Sequence, residues 1–352
     1  MYLPEKMPLE YEVIPLENVV VLGIAKDGTL YGRKQSDTEQ MVKSTDGGHT
    51  WGNIVRVSPI TPIDQILILD DDSILAWGRS GSLHKSTDGG ETTTIVFNTT
   101  PSGPSTWGGM DAYDKFVFIA PYRESARKIY MSNDYGNEGS WKEILHVKDE
   151  KVSHPHTVKF DPYENIIWTV WGDHRPADTI MFSDDFGATW QQPPKGHYYR
   201  CTNIMPLPDS VWFGTDEMYW IGAYRYERPT MGTTQSKFIP EPHWAARRWS
   251  ADTAPVCWAT RPAVTYGKDG AAFWGYRTAG RIPTQIYATR GNKVYPIWCH
   301  DKLDERVSSY GIEGVYGLDD EGYIVAKLIA PNELGTTSNL VRIKLGEDWQ
   351  AV

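Results

Sequence analysis

The sequence is short of the features that mark several common protein classes. Only three cysteines occur, Cys201, Cys257 and Cys299, far apart and odd in number. That count excludes a disulfide framework and offers no paired thiolates for a zinc site, so small buried hydrophobes are the expectation. No apolar run approaches the ~20 residues that a membrane-spanning helix needs. The first ten residues carry charge and proline where a signal peptide would need an apolar stretch. The expectation is therefore a soluble chain, cytoplasmic as synthesised, with release inside a virion as the alternative. A basic excess is also missing: 35 Lys and Arg stand against 45 Asp and Glu, a formal charge of −10. No basic cluster exceeds the pair Arg247 and Arg248, which argues against nucleic acid as a partner.

What is abundant points to strands and turns. The 352 residues include 15 Trp, 20 Tyr, 32 Gly and 23 Pro, a mixture suited to many short strands joined by tight turns. Internal repetition is then decisive. Ser44, Asp46, Gly48 and Trp51 recur as Ser86, Asp88 and Gly90, with Thr93 in the Trp position. They recur again as Ser132, Asp134 and Gly136, with Trp141 beyond a two-residue insertion, and as Ser183, Asp185, Gly187 and Trp190. The serines are 42, 46 and 51 positions apart, the length of a four-stranded propeller blade. The carboxylate and hydroxyl can accept turn N–H groups, the glycine supplies positive φ, and the Trp folds into apolar space between blades.

Beyond residue 200 the motif fades while the rhythm of strand, turn and strand continues. Pairs such as Val20–Ala25 with Thr29–Gly32, and Ala263–Tyr266 with Ala271–Arg277, carry it, as do Gln285–Arg290 and Leu340–Leu345. Units begin near residues 17, 62, 107, 155, 202, 262 and 313. The expected fold is all-β: a single β-propeller over 1–352, of seven four-stranded antiparallel blades with six as the alternative, the boxes forming the turns between third and fourth strands. Residues 1–16 are an N-terminal extension that helps close the ring. Within it, Leu9–Ile14 reads as a strand pairing with the last blade near Trp349–Val352.

The motif S/T-x-D-x-G-x-x-W resembles the Asp-box, or BNR repeat, of sialidase-like propellers, well over 17–200 and by rhythm alone thereafter. The resemblance implies a ligand site at one mouth of a central channel. In sialidases of this fold three arginines grip a substrate carboxylate, a Tyr–Glu pair supplies the nucleophile and an Asp the acid/base. Their Arg-Ile-Pro motif precedes the first box. Here Arg281, Ile282 and Pro283 lie in the sixth unit, the early region offers only Arg33, and no Tyr–Glu pair matches by motif. The catalytic residues do not transfer.

Topology locates the candidate site. The box turns share one face with the turns between first and second strands, so ligand chemistry is expected at the opposite ends, where second strands finish. Those ends supply Arg79, Arg123, Asp173, His174, Asp216 and Arg277. Three arginines favour an anionic or polyhydroxylated ligand. Neighbouring aromatics (Trp77, Trp107, Trp171, Tyr122, Trp220 and Tyr276) could stack on sugar rings or pack between blades. The richest unit holds His154 and His156, two residues apart on a strand and about 6.6 Å apart along it. Its return strand ends at Asp173 and His174. Ligand or acid/base contacts, a metal site and structural hydrogen bonding all remain open for this group. The expected ligand-binding set is Arg79, Arg123, His154, His156, Asp173, His174, Asp216 and Arg277, with no metal and no cofactor. The expected function is a glycan- or ligand-binding surface-recognition module, such as a bacteriophage tail or receptor-binding component with other virion proteins as partners. The alternative is an exo-acting glycoside hydrolase of sialidase type.

Overall fold

The computed structural model describes residues 9–57, 62–99, 103–104, 108–122, 127–172, 178–192, 201–215, 222–228, 237–242, 263–266, 272–275, 285–290, 293–299, 311–317, 319–332 and 335–345. The described elements are strands, β1 to β27. After β1 (Tyr11–Leu16) come β2 (Val19–Ile24), β3 (Leu30–Lys34), β4 (Gln40–Ser44) and β5 (Gly52–Arg56), which form one sheet. The next sheet is β6 (Ile63–Ile68), β7 (Ile74–Gly78), β8 (Ser82–Ser86) and β9 (Thr94–Asn98). A third is β10 (Met110–Tyr113), β11 (Phe116–Ile119), β12 (Lys128–Ser132) and β13 (Trp141–His146). The fourth has three strands: β14 (His154–Asp161), β15 (Ile166–Gly172) and β16 (Thr179–Ser183).

The fifth sheet is β17 (Cys201–Pro206), β18 (Ser210–Thr215), β19 (Gly222–Glu227) and β20 (Lys237–Pro242). The sixth is β21 (Ala263–Tyr266), β22 (Ala272–Gly275), β23 (Gln285–Arg290) and β24 (Lys293–Cys299). Last come β25 (Gly311–Tyr316), β26 (Tyr323–Asn332) and β27 (Gly335–Lys344), with β1 as the fourth strand. The fold is an all-β propeller of antiparallel blades. Among the described residues, six sheets are full four-stranded blades, the smaller number weighed above. In the three-stranded sheet a single bridge between Phe182 and Gln191 stands at the fourth-strand position.

The N-terminal strand differs from its expected pairing. It runs two residues later than the sequence pattern indicates, and Tyr11 to Leu16 pair with Ile343 to Ser338 of β27. Residues 346–352, the expected partner region, lie outside the described residues. Burial explains the shift: Ile14 and Leu16 are the buried alternation of this edge strand. Pro15 between them is tolerated because an outermost strand needs no second row of N–H donors.

Contacts group the chain into two compact units. One comprises Asn18–Ala25 and Thr29–Ile204; the other comprises Met1–Glu17, Lys26–Gly28 and Met205–Val352. In the first, side chains of successive sheets interdigitate. Tyr31 and Met41 meet Ile63, Ile74 and Ala76; Leu75, Trp77 and Leu83 meet Met110, Val117 and Ile119. Phe118, Ile129 and Met131 then meet Val158, Ile167, Trp171 and Met181. In the second, Ile286, Ala288 and Ile297 pack with Val315, Ile324, Val341 and Ile343.

The four repeated turns are hydrogen-bonded clamps. Ser44 Oγ accepts Gly48 N–H at 2.8 Å and donates to Asp46 Oδ1 at 2.7 Å. Asp46 then accepts the N–H of Thr50 at 2.9 Å and its hydroxyl at 2.6 Å. The same set recurs at Ser86, Asp88 and Thr92, and at Ser183, Asp185 and Thr189. In the third turn the insertion brings Ser140 Oγ to 2.6 Å from Ser132 Oγ. The second, third and fourth turns also grip the preceding sheet: Gly90 O accepts Val55 N–H at 2.9 Å, Trp141 stacks on Phe97 at 4.9 Å, and Trp190 Nε1 donates to Ile144 O at 2.8 Å.

Candidate functional site

The site lies in the first unit, at strand ends directed away from the clamps. In the second sheet Ile74 pairs with Ser86, which opens a clamp, whereas Ile63 pairs with Gly78 at the other end. In the fourth sheet Ile167 pairs with Ser183, and His154 with Gly172. The starts of β6 and β14 and the ends of β7 and β15 therefore share the end opposite the box turns.

Two innermost strands of this unit carry an extra residue at this end. Ile63 faces Gly78 and Gln65 faces Trp77, so Asp64 is inserted in β6. Pro155 faces Trp171 and Thr157 faces Val170, so His156 is inserted in β14. A bulge breaks the alternation of the pleat and re-aims the inserted side chain. Both inserted residues are ionisable types, whereas the bulge in β2 falls on apolar Leu22.

Asp64 meets the end of the next strand. Arg79 Nε donates to Asp64 Oδ2 at 2.8 Å. The carboxylate side chain is 6% exposed and the guanidinium side chain 68%. Burial pushes the Asp64 carboxyl above the ordinary carboxylate range, against the opposing hydrogen bond and charge of Arg79 and the charge of Arg33. Gly103 lies flat on this corner, where a Cβ would stand 2.6 Å from the Cα of Arg79 and from Gly78 O.

The same segment leads to the aromatic part of the site. Gly103 O accepts Tyr122 N–H at 2.9 Å. The Tyr122 ring sits edge-on to His154, centroids 4.0 Å apart, and the His154 and His156 rings are 5.2 Å apart. His154 Nδ1 is 2.9 Å from Ser153 Oγ. His156 is fully buried, with Nδ1 2.7 Å from Cys201 O. A carbonyl only accepts, so the His156 proton is on Nδ1. Gly172 makes room for this ring: a Cβ there would run into Cε1 and stand 2.9 Å from Nδ1.

Of the residues expected from sequence, Arg79, His154 and His156 stand in this arrangement. Arg123, Asp173, His174, Asp216 and Arg277 lie outside the described residues, as do Trp107, Trp220 and Tyr276. Trp77 and Trp171 are fully buried within inter-sheet clusters, which makes them packing residues. Asp64 was missed by the sequence reading, because nothing in the pattern of β6 announces an inserted residue. Arg33, set aside there for lack of an Ile-Pro context, acts on the same carboxylate. Among the described residues no group of three or more His, Cys, Asp and Glu is placed to hold a metal ion.

Chemically, this end of the unit offers an outward-facing guanidinium braced by a buried carboxylate, a second guanidinium charge, and a tyrosine ring over two imidazoles. No family model and no curated protein matches the sequence. Solved structures of similar fold include a catalytically inactive virginiamycin B lyase from Staphylococcus aureus with quinupristin, 13% identical. The match covers 94% of this chain and 99% of that one, with a TM-score of 0.58. YCF48 from Cyanidioschyzon merolae is 13% identical over 95% of this chain and 98% of that one, TM-score 0.57. YCF48 bound to a D1 peptide is 11% identical over 97% and 99%, TM-score 0.59. At these identities the likeness shows the propeller fold alone.

Proposed function

We propose that the chain is a recognition propeller of the Asp-box type that binds a glycan or another surface ligand at the strand ends opposite its box turns. The observation that carries this reading is the pair of bulges at Asp64 and His156. Both stand at the same end of innermost strands, and both place an ionisable side chain beside groups from neighbouring strands. Clamps alone would not require that arrangement. The Asp-box reading is supported by the recurring Ser–Asp–Thr hydrogen bonds. A virion setting, as a tail or receptor-binding component, suits a surface-recognition propeller. It is tested by immunodetection of the protein in purified particles.

A glycan array with the purified protein tests the binding reading. Selective binding that Tyr122→Ala abolishes, with the melting temperature unchanged, is the expected result. Binding that survives both Tyr122→Ala and Arg79→Ala would move the site elsewhere.

One observation favours a second reading, an exo-acting glycoside hydrolase. Asp64 is a buried carboxyl held above its ordinary range, the condition a general acid requires. Hydrolysis further needs a second carboxylate, at ~5–5.5 Å for retention or ~6.5–9.5 Å for inversion. Turnover of a fluorogenic glycoside that disappears in Asp64→Asn would favour this reading over a pure binding module. No appreciable turnover of simple sialosides is expected, since the sialidase residues do not transfer.

A further inference from the structure

We infer that Arg79 is a preset seat for a two-oxygen oxyanion on the ligand, a carboxylate or a sulfate ester, and that Asp64 is its positioning residue. The inference rests on the reading of this end of the unit as the binding site and narrows it to a ligand class. Arg79 engages protein through Nε alone, and its Nη1 and Nη2 have no partner among the described residues. That leaves the Nη1–Nη2 edge of the fork facing outward, with the spacing of two oxyanion oxygens. The base of the side chain is fixed as well. Arg79 N–H donates to Pro62 O at 3.2 Å, and Gly103 lies against its Cα. Two guanidinium charges, Arg33 and Arg79, act on the one carboxylate of Asp64.

Asp64 has two effects of opposite sign on an incoming anion. Its hydrogen bond holds the fork, which lowers the entropy lost on binding. Its negative charge repels the anion. Asp64→Asn keeps an oxygen acceptor for the Nε proton and removes the charge, whereas Asp64→Ala removes both. With the hold on the fork the larger of the two effects, the substitutions should move affinity in opposite directions, which a residue that merely braces a strand would not do.

The test follows the Nε–Hε NMR resonance of Arg79, assigned by its loss in Arg79→Lys, during titration with inorganic sulfate at low salt. Expected is a saturable shift in the wild type, affinity about 2–3-fold tighter in Asp64→Asn and at least about 5-fold weaker in Asp64→Ala. A parallel change in both variants, or none in either, overturns the role given to Asp64. Should Asp64→Ala fail to fold, the Asn variant and Arg79→Gln, at an exposed side chain, still decide the matter. An unmoved Arg79 resonance in the wild type overturns the seat itself. Array binding to neutral glycans in that event would leave the recognition reading standing, whereas loss of all array binding would remove both. Sulfated and carboxylated glycans on the same array distinguish the two sources of the anion.

Discussion

Three of the box-turn aspartates, Asp46, Asp88 and Asp185, are acid-sensitive fasteners. The Asp88 carboxyl is held down to about 2, first by the Thr92 hydroxyl, then by the Thr92 N–H and the Ser86 hydroxyl. Asp185 is likewise held at about 2 by Thr189 and Ser183, and Asp46 is lowered by the Thr50 hydroxyl and N–H. A carboxyl depressed in the folded state stabilises the fold above its unfolded value, ~3.9. That contribution disappears as pH falls towards 2. Thermal melting should therefore drop steeply between about pH 4 and pH 2. The drop should be shallower in Asp185→Asn, and an identical profile in that variant would remove the clamp from the explanation. His84 works in a higher window. Its Nε2 is buried without a hydrogen-bond partner, and its register partner Ala76 belongs to the apolar cluster with Tyr31 and Met41. Burial lowers its pKa, so the folded state resists protonation and stability declines as pH falls below the unfolded value, ~6.5. Melting curves from pH 7.5 to 5 should lose this slope in His84→Phe.

Within the elements, a turn and a bulge do opposite kinds of work. Gly90, Gly136 and Gly187 of the clamps face neighbouring sheets: a Cβ on Gly90, at φ 93°, would stand 2.6 Å from Ile54 Cδ1. Gly90→Ala should destabilise by about 1–3 kcal/mol, combining left-handed strain with overpacking, as chemical denaturation can measure. Gly172 carries the other function, leaving space for the His156 ring. In Gly172→Ala the ring must swing away from Cys201 O, and ligand affinity should fall about tenfold or more, equivalent to ~1.4 kcal/mol. Affinity matching the wild type would show that His156 orientation is irrelevant to binding. The contrast also explains what the sequence could disclose. The clamps were legible because their recurring Ser–Asp, Ser–Gly and Asp–Thr bonds span four residues or fewer, which fixes the spacing of Ser, Asp and Gly. Even there the threonines at 50, 92 and 189 escaped notice, although they supply two of the hydrogen bonds on each aspartate. The bulges were not legible, since an inserted residue changes register without changing composition. His154 and His156 stood out as a pair; Asp64 looked like any polar residue in a strand.

On the scale of the whole molecule, one blade joins both ends of the chain. β1 pairs along six residues of β27, and the turn at Lys26 accepts a hydrogen bond from Asp320 N–H at 2.8 Å. Removing residues 1–17 would expose the edge of β27 and uncover Leu340 and Val341, which are fully buried in the intact chain. The truncated chain should melt lower and aggregate more readily in light scattering, and full stability would show that β1 is dispensable. The strand starts expected at 17, 62, 107, 155, 202, 262 and 313 fall within three residues of the observed starts of the innermost strands. Blade rhythm was thus readable even where the box had faded. The pairing of β1 was only half readable, because burial of Ile14 and Leu16 depends on a partner more than 300 residues away.

The division of labour between the two ends of the blades is tested most directly by measuring array binding and melting temperature together on Asp185→Ala and Tyr122→Ala. The clamp variant should melt lower and bind unchanged while folded; the Tyr122 variant should melt like the wild type and lose binding. The reverse pattern, binding lost in Asp185→Ala at unchanged melting temperature and retained in Tyr122→Ala, would place the ligand on the box face and contradict the assignment.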